Sequence, residues 1–114
     1  MTAPVALCCG EPAGVGPELA AAAWEALGNT LPFFLIGDPA HLPEQAPVAV
    51  INAPDEAIQA AATALPVLPH AFSGPLTPGK PNPAHAQSVI DVIARGVDLV
   101  QSGAARALCT APIH

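Results

Sequence analysis

Short apolar runs that end at glycine, proline or asparagine dominate the chain and predict a series of strands. Four runs have the length of a buried strand, and they are Val5 to Cys9, Phe33 to Ile36, Val48 to Ile51 and Ala107 to Thr110. A fifth run, Leu65 to Phe72, contains Pro66 and Pro69. Because proline cannot donate to a sheet ladder, this run predicts an edge strand or an extended loop.

Two longer segments have the spacing of amphipathic helices. Pro17 fits the first helical position, and apolar residues recur after it until Gly28. Asn82 is a suitable N-cap before Pro83, and a second apolar stripe continues at helical spacing until Gly103. Each segment therefore predicts a helix that packs one face against a sheet.

The order of these elements predicts the fold class. Asp55 to Ala64 predicts a short Ala-rich helix, and the Gly- and Pro-rich residues 73–83 predict a connection. Strands that alternate with helices are typical of an α/β fold with a mainly parallel sheet. In such sheets ligands bind at the carboxyl ends of the strands, which here are the loops after Cys9 and after Cys109.

Composition excludes several classes of protein. The 114 residues suffice for one small domain, and a hydrophobic fraction of 52% excludes intrinsic disorder. No apolar run approaches the ~20 residues that cross a bilayer, and the first residues lack the basic region of a signal peptide. We therefore expect a soluble, cytoplasmic protein without a membrane partner. A net charge of −6 with three basic residues argues against nucleic-acid binding.

Cysteine and histidine spacing does not support a metal site in this chain. The three cysteines are expected to be reduced and buried, and they are Cys8, Cys9 and Cys109. Three of the four histidines stand far apart and are expected at the surface or in loops, namely His41, His70 and His85. The fourth, His114, follows the predicted strand end at Thr110 and is a candidate for a place near a site.

The loop from Gly10 to Pro17 lies between a predicted strand and a predicted helix. Glycines there let the backbone approach a ligand, and a helix N-terminus favours negative charge. The spacing differs from the dinucleotide fingerprint, so the loop is either a tight structural turn or a ligand-binding loop. Glu11 is its best candidate for a functional carboxylate, whereas Glu18 is expected to stabilise the helix N-terminus.

Gly74 to Pro81 resembles a phosphate-binding P-loop only superficially. Pro81 replaces the hydroxyl that binds the metal, and Pro75 and Pro78 remove N–H groups that a phosphate cradle needs. Nucleotide-triphosphate binding is therefore rejected. Lys80 remains a candidate for contact with an anion.

Two motifs carry a resemblance to a known family. Gly10 to Leu19, with the sequence GEPAGVGPEL, resembles the opening motif of the 4-hydroxythreonine-4-phosphate dehydrogenase family of vitamin B6 synthesis. Thr110 to Ile113 resembles the strand end T-[AG]-P-[IV] of that family. Phe33 to Asp38 and Pro78 to Pro81 resemble intervening segments, and the order of all four agrees.

The resemblance implies a metal-assisted dehydrogenase of pyridoxal phosphate biosynthesis. NAD would accept a hydride from the secondary alcohol of 4-(phosphooxy)-threonine, a divalent Zn, Mg or Co ion would polarise the alcohol oxygen, and the β-keto acid would decarboxylate. The implied fold is similar to that of isocitrate and isopropylmalate dehydrogenases. Residues 1–114 would form the N-terminal part of a two-domain protein whose cleft and homodimer complete the active site.

The position of the two loops predicts the residues that line the cleft or contact the cofactor, and they are Glu11, Gly14, Gly16, Thr110 and His114. No catalytic or metal-binding residue is predicted in this chain, since the family's histidine ligands lie beyond the segment that matches. We therefore expect these residues alone to bind metal and substrate poorly. Two alternatives remain: a related sugar-acid phosphate or cis-dihydrodiol dehydrogenase, and a non-catalytic α/β module that binds a small anion.

Overall fold

Strands and helices alternate along the chain in the computed structural model, which describes residues 3–28 and 30–113. The strands are β1 (Val5–Cys8), β2 (Phe33–Gly37), β3 (Val48–Val50), β4 (Leu65–Pro69) and β5 (Ala107–Thr110). The helices are α1 (Gly16–Leu27), α2 (Ala57–Ala60) and α3 (Ala86–Gln101). Short 3-10 turns cover residues 39–41, 54–56 and 83–85.

The five strands form one sheet in the order β3-β4-β2-β1-β5, and every pairing is parallel. The predicted α/β class with a parallel sheet is therefore confirmed. On one side of β1 the sheet continues with β2, β4 and β3, and after β4 the chain returns to the opposite side of β1 as β5. The order reverses next to β1, which makes the carboxyl ends of β1 and β5 the place where a ligand is expected.

The prediction for Leu65 to Phe72 was wrong, because β4 is a buried inner strand between β3 and β2. The register explains how two prolines are tolerated. Pairing with β2 starts at Val67, beyond Pro66, and pairing with β3 ends at Val67, before Pro69. Each proline thus has a paired strand on one side only, and the missing N–H interrupts neither ladder.

The predicted helix from Asp55 to Ala64 is shorter in the structure. A 3-10 turn precedes the four residues of α2, and the backbone then closes in turns before β4. The buried Leu65 already begins β4, so the chain must leave the helix early. Trp24 of α1 fixes this region by donating from its indole Nε1 to the Ala61 carbonyl oxygen over 2.9 Å.

The long helix α3 packs closely on β1 and β5 at Gly96. A Cβ atom at this position would lie 2.7 Å from Leu108 Cδ1 and 3.3 Å from Cys8 Sγ, so a larger residue would require the Leu108 side chain to move. Asn82 caps the 3-10 turn that precedes α3, since its Oδ1 accepts from the Ala84 N–H over 3.0 Å. The predicted start of this helical segment at Asn82 and Pro83 is confirmed.

The core is built mainly from the strands, and the helices bury less than their sequence suggests. The most deeply buried side chains include Phe34, Ile36, Leu65, Val67 and Val92. In α1 Ala20 is fully buried, whereas Leu19 and Leu27 of the predicted apolar stripe remain exposed. Within the part of the chain that is described, no helix is both long enough and apolar enough to cross a bilayer.

Cys109 corrects the expectation of three buried thiols. All three cysteines are free, but only Cys8 and Cys9 are buried. Burial raises the pKa of Cys8 to about 11 and that of Cys9 to about 12. Cys109 is exposed because β5 lies at the edge of the sheet.

Alkylation of the folded chain at neutral pH is therefore expected to modify Cys109 alone. A thiol reacts as its thiolate and must be accessible to the reagent. Cys8 and Cys9 are buried, and their raised pKa values keep them protonated at neutral pH. Mass spectrometry should detect one adduct in the native chain and three after denaturation. Rapid native labelling of Cys8 or Cys9 would contradict the burial described here.

Candidate functional site

The loop after β1 and the segment after β5 meet at the carboxyl ends of their strands and form a cleft of about 320 Å³. Glu11, Gly14 and Val15 line one side, and Pro112 and Ile113 line another. Gly79 and Pro81, from the connection between β4 and α3, complete it. The cleft lies at the position that the reversal of strand order predicts.

Backbone contacts hold the two loops together. The Glu11 N–H donates to the Pro112 carbonyl oxygen, and the Ala111 N–H donates to the Cys8 carbonyl oxygen, each over 3.0 Å. Gly10 makes this approach possible. Its φ is +65°, and a Cβ there would lie 2.5 Å from the Pro112 carbonyl oxygen.

Glu11 organises its own loop. Its Oε2 accepts from the Ala13 N–H over 3.1 Å, and its carbonyl oxygen accepts from the Gly14 N–H over 3.0 Å. The Ala13 carbonyl oxygen in turn accepts from the Gly79 N–H over 2.7 Å, which attaches the third side of the cleft. The carboxylate thus has a structural contact and also lines the cleft.

The start of α1 lies directly beneath this loop. Gly16 is buried, and a Cβ at this position would lie 2.0 Å from the Cys9 carbonyl oxygen. Glu18 is exposed in the first turn, where a carboxylate interacts favourably with the helix dipole. The loop and the helix N-terminus therefore form one rigid unit around Gly16.

The predicted site residues have different positions. Glu11 and Gly14 line the cleft, and Gly16 supports it from below. Thr110 is exposed at the end of β5 in register with Cys8, and its side-chain hydrogen bond partly opposes the rise in the pKa of that thiol. His114 lies outside the described residues. Sequence reasoning missed Gly79 and Pro81, although it did recognise the proline-rich connection that contains them.

Charged groups suited to a metal or a phosphate are sparse. Among residues 3–28 and 30–113 no three His, Cys, Asp or Glu side chains are grouped so that they could hold a metal ion. Of the basic residues, Arg95 donates to the Pro69 carbonyl oxygen, and Arg106 lines a separate cavity that includes Pro4. Lys80 is exposed between Gly79 and Pro81 and is the cation nearest in sequence to the cleft wall.

His41, His70 and His85 lie in turns and loops, as expected. The structure also brings all three around Phe72, and His85 is completely buried, which the sequence did not predict. The reason is that each follows a strand or precedes a helix at the same end of the sheet. Their separation in sequence concealed this arrangement.

Comparison with known proteins identifies the family. The sequence profile described as "Pyridoxal phosphate biosynthetic protein PdxA" matches residues 29–114. The chain is 57% identical over 113 residues to 4-hydroxythreonine-4-phosphate dehydrogenase of Roseobacter denitrificans, covering 99% of this chain and 35% of the relative. It is 53% identical over 111 residues to the enzyme of the same name from Paracoccus denitrificans, covering 97% and 33%.

A solved structure agrees with these sequence matches. The crystal structure of 4-hydroxythreonine-4-phosphate dehydrogenase from Klebsiella pneumoniae has a TM-score of 0.83 and 25% identity, and the match covers 99% of this chain and 38% of that one. The chain thus spans about a third of the length of the curated relatives it matches. On the profile match and these identities, the chain belongs to the PdxA family of pyridoxal phosphate biosynthetic proteins.

Proposed function

We propose that residues 1–114 form the N-terminal part of a two-domain dehydrogenase that oxidises 4-(phosphooxy)-threonine with NAD in pyridoxal phosphate biosynthesis. The observation that carries the proposal is the convergence of the Glu11 loop and the segment after Thr110 at the reversal of strand order. These are also the two segments with the family motifs. The names of the relatives support the substrate and the dehydrogenase activity, and NAD is what the family resemblance implies.

The contribution of this chain is to bind and orient one end of a ligand. Ligand pockets commonly span roughly 300–1,000 Å³, so a cleft of about 320 Å³ suits a small substrate or one end of a dinucleotide. The backbone at Gly14 and the N-terminus of α1 favour an anionic group there. Glu11 holds the loop in place through the Ala13 N–H.

The described residues do not fit a complete metal or phosphate site. No group of three suitable ligands is present among them, and Lys80 alone offers a free-standing cation near the cleft. A divalent metal and most contacts to a phosphate therefore require residues outside those described. The proposal also includes a fold similar to that of isocitrate dehydrogenase, assembly as a homodimer and a cytoplasmic location.

The test is an assay of the protein in the full length that its gene encodes. We expect NADH to form when 4-(phosphooxy)-threonine, NAD and a divalent metal are all present. Oxidation of a sugar-acid phosphate or a cis-dihydrodiol instead would favour the related dehydrogenases of the family. Absence of NADH with every one of these substrates would contradict the proposed reaction.

Replacement of Glu11 with alanine tests the role of the loop in the same assay. The change removes a hydrogen bond to a partly buried N–H, which costs about 1 kcal/mol. The displaced loop is expected to lower kcat/KM about ten-fold, because small displacements in a site have large effects. Glu25→Ala removes the same charge at an exposed position near the C-terminal end of α1, the end opposite to the Glu11 loop, and should leave kcat/KM unchanged. Equal effects of the two variants would exclude a specific role for Glu11.

A further inference from the structure

Three histidine rings surround Phe72 at the carboxyl end of the sheet. The ring centroids of His41 and His85 lie 5.3 Å and 5.4 Å from that of Phe72, and His70 lies 6.0 Å from it. His41 and His85 are themselves 5.9 Å apart. The four residues come from the turn after β2, the segment after β4 and the turn before α3, so the cluster joins three separate parts of the chain.

His85 is the unusual member of this group. Its side chain is 0% exposed, and neither ring nitrogen has a hydrogen-bond partner among the residues that the structure describes. Its ring packs against those of Phe72 and His41.

The charges nearby can compensate for little additional positive charge. They are Asp38 and His41 on the segment after β2, His70 after β4, and Asp91 and Arg95 on α3. Asp38 already accepts from the Ala40 N–H over 3.0 Å and from the Phe72 N–H over 3.1 Å, and it lies 4.0 Å from His41 Nε2. Arg95 Nη1 lies 3.4 Å from His70 Nδ1, so a cation is already present on that side.

The direction of the pH effect follows from the two partly exposed rings. Burial lowers the pKa of His41 below 6.5, the Asp38 carboxylate opposes this change, and His85 adds to it. Burial is the main cause that lowers the pKa of His70, and Arg95 lowers it further. The carboxylates of Asp91 and Asp38 have the opposite effect. Because the opened state has the higher pKa, it binds more protons as the pH falls. The cluster is fully stable above pH 6.5 and loses stability below it.

The cluster adjoins both ends of residues 73–82, a segment that forms part of the cleft. Phe72 immediately precedes this segment, and the His85 N–H donates to the Asn82 carbonyl oxygen over 2.9 Å. Asn82 Nδ2 closes the base of the segment by donating to the Pro75 carbonyl oxygen over 3.1 Å. At the far end, Gly79 is bonded to Ala13 and lines the cleft.

We propose that His41, Phe72 and His85 form an acid-sensitive latch, in which protonation of His41 separates its ring from Phe72 and His85 and releases residues 73–82 from the Glu11 loop. One wall of the cleft then becomes mobile below pH 6.5 and is fixed above it. The latch acts on the backbone, so it does not depend on which substrate the cleft binds.

Hydrogen exchange of residues 73–82 tests the latch in the protein in its full encoded length. After correction for intrinsic rates, exchange is expected to be about ten-fold faster at about pH 5.5 than at about pH 7.5, since each added proton favours the open state up to ten-fold per pH unit. His41→Phe keeps an aromatic ring that cannot be protonated and should abolish most of this difference. If that variant does not fold, His41→Leu, which also cannot be protonated, should have the same effect.

His70→Gln is the matched control, because it removes a titratable ring that contacts Phe72 from the more exposed side. It should retain most of the pH dependence. Three results would overturn the latch: no pH dependence in the unmodified protein, an unchanged dependence in a His41→Phe or His41→Leu variant that folds, or its complete loss in His70→Gln.

Discussion

Replacing Gly16 with alanine is expected to lower the free energy of unfolding by about 3 kcal/mol, since overpacking against fixed backbone costs this much or more. The new Cβ would lie 2.0 Å from the Cys9 carbonyl oxygen. That oxygen belongs to the backbone at the end of β1 and cannot rotate away. Either α1 or the Glu11 loop must therefore move, and both support the cleft.

Thermal unfolding followed by circular dichroism measures the effect of Gly16→Ala. For a domain of this size, about 3 kcal/mol corresponds to a decrease in Tm of roughly 15 °C. Gly14→Ala is the matched control in the same loop. Gly14 is exposed, and its added Cβ would come only to 3.3 Å from the Glu11 carbonyl oxygen. A similar decrease in Tm for both variants would show that the contact with Cys9 is unimportant.

Replacing Gly10 with alanine is expected to have a comparable effect through two costs. The positive φ of +65° costs an L-residue about 1–2 kcal/mol. The added Cβ would also lie 2.5 Å from the Pro112 carbonyl oxygen and 2.6 Å from that of Ala111, and overpacking adds about 1–3 kcal/mol. Because these atoms follow β5, the change should separate the two loops that form the cleft.

Gly103→Ala separates the two costs. Gly103 has a φ of +84°, but a Cβ added there would meet no neighbouring group within 4 Å, so only the backbone cost of about 1 kcal/mol applies. Denaturant unfolding of both variants should show that Gly10→Ala is the more destabilising by about 2 kcal/mol. Equal losses of stability would mean that the segment after β5 moves away from the added Cβ without a cost in free energy. The two loops would then not be tightly joined.

The fold class could be predicted because each strand is a short apolar run with a clear boundary. The pattern located β1, β2 and β5 to within a residue, and the break at Gly28 located the end of α1. Strand order could not be predicted, since it depends on pairing between distant parts of the chain. The assignment of β4 failed because proline was judged by composition, whereas its effect depends on where each neighbouring ladder begins and ends.

The candidate site was only partly predictable. Glu11 and Gly14 were identified from loop position, because the carboxyl ends of parallel strands lie at one edge of a sheet. The same argument predicts that His41 and His70 lie close together, because both residues follow strands closely. Metal ligands have a characteristic spacing in sequence, whereas the members of a packed aromatic cluster do not.

The pairing of β1 with β5 has a consequence for the synthesis of this protein. Val5 pairs with Ala107, so the first strand of the sheet receives one neighbour only when about one hundred more residues have been made. At about 5–20 residues per second this delay is roughly 5–20 seconds. Throughout that time one side of β1 has no partner strand from its own chain. A ribosome must therefore release almost all of these residues before the two loops can meet and the cleft can exist.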